Sequence, residues 1–439
     1  MKVLVCPSGF KGSLPPHTAA DCIESGILSV MPDASVRKVP LVDGGEGFTT
    51  ALVAATRGTL YPVLVTGPVG VPVESFFGIL GGDDSSSTGS SSSTGKPKPE
   101  PKPKGRTAVI EMAAAAGLSL VPQHLRNPGL TTTYGVGQLI LAALDAGAER
   151  IVVGCGDSGT CDGGAGMLQA LGARLLDRDG RALPLAGGGE ALRRLATIDL
   201  GGVDPRVGKA AIEVAVNWSN VLCGRQGVAR VFGAQKGSTA EQTERLAAAM
   251  EVLGNVAGRL LGEENIGQAA GGGASGGLGT GLRLVGAVLR PRYEVVAEYV
   301  DFETLFDDCD LVITAEGGID DQTPRGKIPA EIGRRAKRFG LPVVAIAGTI
   351  GPGARVNYEV GIDAYTCILQ RPSTLEEAVV DAERLTRESA ECVMRMIIVG
   401  RMLAWDLRPC ILSMSTYELK KCHFEFEFDV VQIAVYVRR

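Results

Sequence analysis

Residues 151–170 read IVVGCGDSGTCDGGAGMLQA, and they constrain the fold more than any other stretch of the chain. Ile151, Val152, Val153 and, after Gly154, Cys155 read as a short buried strand. A small-residue loop follows from Gly156 to Gly166. Met167, Leu168 and Leu171 then open a helical period. In an open parallel sheet such a loop lies at the carboxyl end of its strand, where ligands bind. The helix behind it aims its free N–H groups and the positive end of its dipole at the loop. Ser158, Thr160 and Asp162 add hydroxyls and a carboxylate. This chemistry suits a phosphate or a small hydroxy acid. The same glycines also suit a plain structural turn, which is common punctuation in α/β proteins.

The strand–loop–helix unit recurs. KVLVC (2–6) leads into PSGFKGSL, and Pro15–Pro16 introduce a helix through about Met31. A strand over 35–41 ends in VDGGEG, and a helix follows through about Ala55. Late in the chain, LVIT (311–314) leads into AEGGIDDQTPRGK and LPVVAIAG (341–348) into TIGPGA. A strand over 362–368 and a helix over 375–396 close the pattern. The middle differs. LYPVLVTGPVGVPVESFFGIL alternates around Gly and Pro turns as antiparallel strands do, and TAVIEM (107–112) resumes it. Residues 127–148 hold a helix capped by Thr131, Thr132 or Thr133, and 239–262 a long amphipathic helix. Residues 81–106 contain no core-forming side chain and are expected to be a disordered hairpin-tip insertion. The pattern predicts an α/β fold: a doubly wound domain of residues 1–60 plus 285–396, interrupted by an inserted α/β domain, 61–284. Residues 397–439 are atypical, nearly free of glycine, and FEFEFDVV there alternates like an exposed edge strand.

The totals narrow the function classes. A chain of 439 residues has room for two or three domains. Its net charge of −5 argues against nucleic acid as a partner. The apolar runs fall short of a membrane span. The amino terminus reads as a first strand, with no signal or transit segment, so the cytoplasm is the expected compartment. None of the 10 cysteines forms a CxxC pair, which favours reduced buried thiols. His17, His124 and His423 lie outside the Gly-rich loops, which argues against histidine-based nucleophilic catalysis or a histidine metal site. No GxxxxGK[ST] loop is present, nor the kinase HRD and DFG set. No GxGxxG follows the first strand with an acid about twenty residues on, so a dehydrogenase reading is weak. The oligomeric state is not legible.

Charged groups nevertheless recur beside the Gly-rich loops: Lys11, Asp43, Glu46, Asp162, Lys236, Glu316, Asp320 and Lys327. The ordered set FKGSL (10–14), DGGEG (43–47), TTTYG (131–135), DGGAGMLQALGA (162–173), VFGAQKG (231–237), GASGGLG (273–279) and EGGIDDQT–RGK (316–327) resembles the glycerate kinase family, from residue 1 to about 395 apart from the insertion. The resemblance implies ATP-dependent phosphorylation of D-glycerate, usually at the 2-hydroxyl, with Mg2+, the 3-phosphoglycerate product being the other possibility. It also implies a flavodoxin-like domain interrupted by a second α/β domain. For that chemistry Asp43, Asp162 and Asp320 are candidates for general base and metal ligand, with Glu316 a further metal candidate. Lys11 and Lys236 can neutralise phosphates. Arg325 or Lys327 can pair with the glycerate carboxylate. Ser158, Thr160 and the backbone of Gly163–Gly164 can cradle substrate or phosphate.

The chain departs from the family pattern inside these motifs. Ser8 stands where the family has Asp, Asp157 where it has Gly, Cys161 where it has Asn, Asn217 where it has Asp, and Gly318 where it has Arg. Loss of a general base removes about 10²–10⁴ in rate. The departures motivate an alternative: a weakened, kinase-like protein that binds nucleotide or hydroxy acid as a regulator.

Overall fold

In a computed structural model, residues 1–10, 12–41, 44–81, 105–299 and 302–413 are described. The strands are β1 (Lys2–Pro7), β2 (Ser35–Lys38), β3 (Thr59–Thr66), β4 (Pro72–Ile79), β5 (Thr107–Glu111), β6 (Arg150–Gly154), β7 (Arg174–Leu176), β8 (Thr197–Asp199), β9 (Ala211–Val216), β10 (Val288–Pro291), β11 (Leu311–Ile319), β12 (Val343–Ile350) and β13 (Ala364–Cys367). They form a five-stranded sheet in the order β13-β12-β11-β1-β2, a six-stranded sheet in the order β10-β9-β6-β5-β4-β3, and the β7–β8 ribbon. The five-stranded sheet is parallel throughout, with Val5 opposite both Ile313 and Lys38. In the six-stranded sheet β10, β9, β6 and β5 run parallel, while β4 and β3 are antiparallel. The chain leaves the first sheet after β2 and returns to it at β11.

Side-chain alternation builds the layers. On β1, Val3 and Val5 face helices Pro16–Val30 and Ala382–Ser413, whereas Leu4 and Cys6 face the opposite way. On β6, Ile151 and Val153 face the helical layer that contains Tyr134–Asp145 and Ala240–Leu261. Val152 points instead toward Phe48 and Leu52. Helices Phe48–Ala55, Arg292–Ala297 and Ile328–Arg338 therefore lie between the two sheets. Both sheets have apolar residues on both faces, as parallel sheets require.

Local sequence explains the main helices. Pro16 occupies the first turn of its helix, where a missing N–H costs nothing. Gly26 lets that helix approach Ala382–Ser413 closely, since a Cβ would stand 2.3 Å from the Arg387 carbonyl oxygen. Thr239 and Gln242 form a capping box at the start of Ala240–Leu261, and Gly262 ends it in the left-handed conformation.

Several boundaries differ from the sequence pattern. β11 runs on to Ile319, so Glu316 and Gly318 lie in the strand and not in a loop. β12 supplies the reason: Glu316 pairs with Ala347, and Gly318 with Thr349. The helix expected over 375–396 breaks at Asp381. It gives Leu375–Val380 and then Ala382–Ser413, which continues past 396 with Met396, Val399, Met402 and Leu403 exposed. The helix after the loop Gly156–Gly166 is short, Ala165–Ala170. Residues 82–104, the core of the expected insertion, and 414–439, with FEFEFDVV, lie outside the described residues. Among the described residues no helix is long and apolar enough to cross a membrane.

Candidate active site

The carboxyl ends of the two sheets meet at the loop Gly44–Gly47. Gly44 lies against the Cys155 backbone N and the Ala215 carbonyl, at the ends of β6 and β9. A Cβ on Gly156 would stand 2.5 Å from Gly45 N, so the loop after β6 requires glycine there. Glu46 N–H donates to Asp157 Oδ2 at 3.2 Å, and the Ser119 hydroxyl donates to Glu46 Oε1. A second contact closes the other side. Arg292 and Tyr293, just past β10, donate to the Gly326 carbonyl beyond β11.

The loop after β6 is organised by Asp162, which is fully buried. Its Oδ2 accepts from Thr133 N at 2.8 Å, Thr133 Oγ1 at 2.9 Å and Gly166 N at 3.2 Å, and its Oδ1 from Gly164 N at 3.1 Å. Burial pushes the Asp162 carboxyl pKa up, and these donors oppose the shift. The N–H groups that the sequence offers to a ligand anion are thus taken by the chain's own carboxylate. Gly163 and Gly164 are left-handed, at φ +62° and +79°. A Cβ on Gly163 would collide with Leu253 Cδ2 at 2.0 Å, and one on Gly164 would stand 3.0 Å from Gly281 Cα. Their glycine character serves packing against the helical layer.

Lys236 reaches the same loop from the turn Ala234–Lys236. Its ammonium donates to Ser158 Oγ at 2.8 Å and to the Thr160 carbonyl at 2.7 Å. It is buried, and burial lowers its pKa, while Cys161 and Asp162 raise it. Thr160 is also buried, and its hydroxyl has no hydrogen-bond partner among the described residues.

A separate cluster stands at the end of β11. Lys327 Nζ lies 3.2 Å from Asp320 Oδ1 and 3.9 Å from Glu316 Oε1, and it donates to the Gly318 carbonyl at 3.1 Å. Asp320 Oδ1 also accepts from Gln322 N and Thr323 N, fixing the turn Thr323–Arg325. Ser8, at the end of the neighbouring β1, donates its backbone N–H and its hydroxyl to the Ala315 carbonyl, at 2.8 and 3.1 Å.

The expected site residues therefore fall into two groups: Ser158, Thr160, Asp162, Gly163, Gly164 and Lys236 beside β6, and Glu316, Asp320 and Lys327 beside β11. Lys11 and Asp43 lie outside the described residues, and of Arg325 only the backbone is described. Asn217 Oδ1 accepts from Ser219 N at 3.2 Å and Ser219 Oγ at 2.8 Å, holding the turn after β9. Glu111, at the end of β5, is a site feature that the sequence reading did not single out. It is buried, and its carboxylate accepts from the backbone N–H groups of Gly47 and Thr49, at the end of the Gly44–Gly47 loop and the start of the helix after it. Its faint sequence signal is a lone acid inside the apolar stretch AVIEMAAAA, at a strand's carboxyl end.

The profile of the glycerate kinase family matches residues 3–398. The chain belongs to the glycerate kinase family. It is 44% identical over 404 residues to a glycerate kinase from Bacillus subtilis (strain 168), covering 92% of this chain and 99% of that protein. It is 40% identical to glycerate 2-kinase from Escherichia coli (strain K12), covering 86% of this chain and 93% of that one. A crystal structure of a candidate glycerate kinase 2 from Salmonella typhimurium LT2 superimposes with a TM-score of 0.68 at 41% identity, covering 92% of this chain and 99% of that chain. The family match ends near the point where helix Ala382–Ser413 begins to expose its apolar side chains, so the later residues stand outside it.

Proposed function

We propose that the chain transfers the terminal phosphoryl group of ATP to D-glycerate and releases 2-phosphoglycerate. The five-stranded sheet, counted by itself, follows the order 2-1-3-4-5, and we read it as flavodoxin-like. Residues 1–60 and 285–396 would form that unit, with 61–284 inserted, although β10 (Val288–Pro291) pairs with β9 in the other sheet. In such a sheet ligands bind outside the strand ends where the order reverses, here between β1 and β11. The observation that carries the reading is Lys327 bridging Glu316 and Asp320 at this crevice.

Phosphoryl transfer requires positioning and neutralisation of oxygen charge. Lys327 supplies a fixed cation. Glu316 and Asp320 are hard oxygen donors of the kind that hold Mg2+ alongside substrate phosphates. Bound there, Mg2+ would neutralise phosphate charge. Among the described residues no group of three or more His, Cys, Asp and Glu side chains is placed to hold a metal ion. With both Asp162 oxygens engaged, we assign that residue to holding the loop, and not to base or metal chemistry. Asp43 and Asp320 remain the carboxylates for the glycerate hydroxyl proton. Lys236 with Ser158 supplies a second cationic surface, Lys11 a third, and Arg325 an alternative partner for the glycerate carboxylate.

The positional test is 31P NMR of the product formed from D-glycerate and MgATP. A 2-phosphoglycerate resonance is expected. A 3-phosphoglycerate product would move the reacting hydroxyl, and no glycerate-dependent product would overturn the reading. Asn217→Asp tests the departure after β9. A carboxylate accepts the same two bonds from Ser219, so stability should stay within about 0.5 kcal/mol of the parent. Turnover should be no lower than the parent's, as steady-state kinetics on both proteins will show.

A further inference from the structure

We propose that Glu111 is a positioning residue of the phosphotransfer site, clamping the Gly44–Gly47 loop at the junction of the two sheets. Its Oε2 accepts from Thr49 N at 2.8 Å and its Oε1 from Gly47 N at 3.3 Å. Those amides begin helix Phe48–Ala55, whose first N–H groups have no partner within the helix. A carboxylate here satisfies two of them and sits at the positive end of the helix dipole. The clamp fixes the loop that Gly44 and Gly45 press against Cys155, Ala215 and Gly156. It therefore couples the end of β5 to the ends of β6 and β9.

The surroundings make the clamp dependent on proton concentration. Glu111 is 4% exposed. Among the described residues, the charged groups facing it are Glu46 on the clamped loop and Asp157 beyond β6, both acids. Helix Phe48–Ala55, the adjoining ends of β4 and β6, and residues 112–121 bring no ionisable carboxylate or cation. Burial first, then Glu46 and Asp157, push the Glu111 pKa up from 4.5 to about 7, against the two backbone bonds. The ionised form accepts both N–H bonds. The neutral acid keeps one carbonyl oxygen and turns an O–H donor toward the other. As pH falls through about 7 the clamp therefore loses one bond.

The linkage for folding has the opposite sign. The folded pKa lies above the unfolded one, so the stabilising contribution of the bound proton is complete below about 4.5. It is lost as pH rises through about 7. Activity and stability should thus respond in opposite directions to this one group.

The rate test rests on the kinase reading, and the exchange test does not. For the full chain, kcat/KM with D-glycerate and MgATP should show a limb near pH 7, falling on the acid side. In Glu111→Gln, which carries a single carbonyl acceptor, that limb should disappear and kcat/KM at pH 8 should drop roughly tenfold, the effect of a slightly misplaced loop. An unchanged limb and an unchanged rate would overturn the proposal. Hydrogen exchange on the unsubstituted chain serves should the variant fail to fold or the parent fail to turn over. After correction for intrinsic rates, at least one of the Gly47 and Thr49 amides should lose protection between pH 8 and 6, while amides within Ala240–Leu261 keep theirs. Equal protection at both pH values would overturn it.

Discussion

Lys327→Met should lower kcat for glycerate phosphorylation by about 10²–10³, the usual consequence of removing one preorganised donor from a developing oxyanion. The variant keeps the length of the apolar stem and removes only the ammonium that stands between Glu316 and Asp320. Glu316 and Asp320 then lose the Lys327 ammonium, and a phosphate bound there loses a fixed positive charge beside β11. Stability should change little. The side chain is 28% exposed, and partly exposed ion pairs contribute about 0–1 kcal/mol. The comparison is kcat against the thermal midpoint on the same samples. A large fall in kcat with a midpoint close to the parent's supports the assignment. Turnover within a few-fold of the parent would remove Lys327 from the site. Lys327→Arg is not expected to rescue fully, since a planar guanidinium does not reproduce a compact ammonium that contacts the Gly318 carbonyl and Asp320 together.

Asp162→Ala should cost about 3–5 kcal/mol of folding stability. Four donors converge on this carboxylate, from Thr133, Gly164 and Gly166, and no water-accessible surface remains around it to replace the lost acceptor. Lys236 would also lose the Asp162 carboxylate, which together with Cys161 opposes the effect of its burial. Asp162→Asn should be only partly better. One carboxylate oxygen becomes an NH2 group that faces an N–H donor. Denaturant unfolding measures both variants. If instead Asp162→Ala folds with parental stability and fails only in turnover, the carboxylate belongs to the chemistry and not to the loop.

These two residues also mark how far the sequence carried. Strand–loop–helix spacing was enough to find the loop after β6 and the cluster after β11, because apolar alternation and glycine runs are local signals. The side of the loop to which a side chain turns is not local. Asp162 reads as a ligand-facing acid, yet it folds back onto Gly164 and Gly166 because Thr133, from a distant helix start, completes its coordination. Gly163 reads as an anion cradle, yet its missing Cβ is occupied by Leu253. Glu316 reads as a loop residue until pairing with β12 extends the strand beneath it. Glu111 gives almost no sequence signal, because its importance comes from the approach of helix Phe48–Ala55 across the junction of the sheets. Lys236 fits between these cases. Its cation was legible, but the contacts with Ser158 and Thr160 depend on the packing of loops far apart in sequence.

The most direct measurement of the central claim is D-glycerate-dependent ADP release by the purified full-length chain with MgATP. Steady turnover that saturates in both substrates is predicted, despite Ser8, Asn217 and Gly318. A folded sample that binds ATP or glycerate, by thermal shift, but releases no ADP above its glycerate-free rate would contradict the account. It would leave a kinase fold that binds without transferring phosphate.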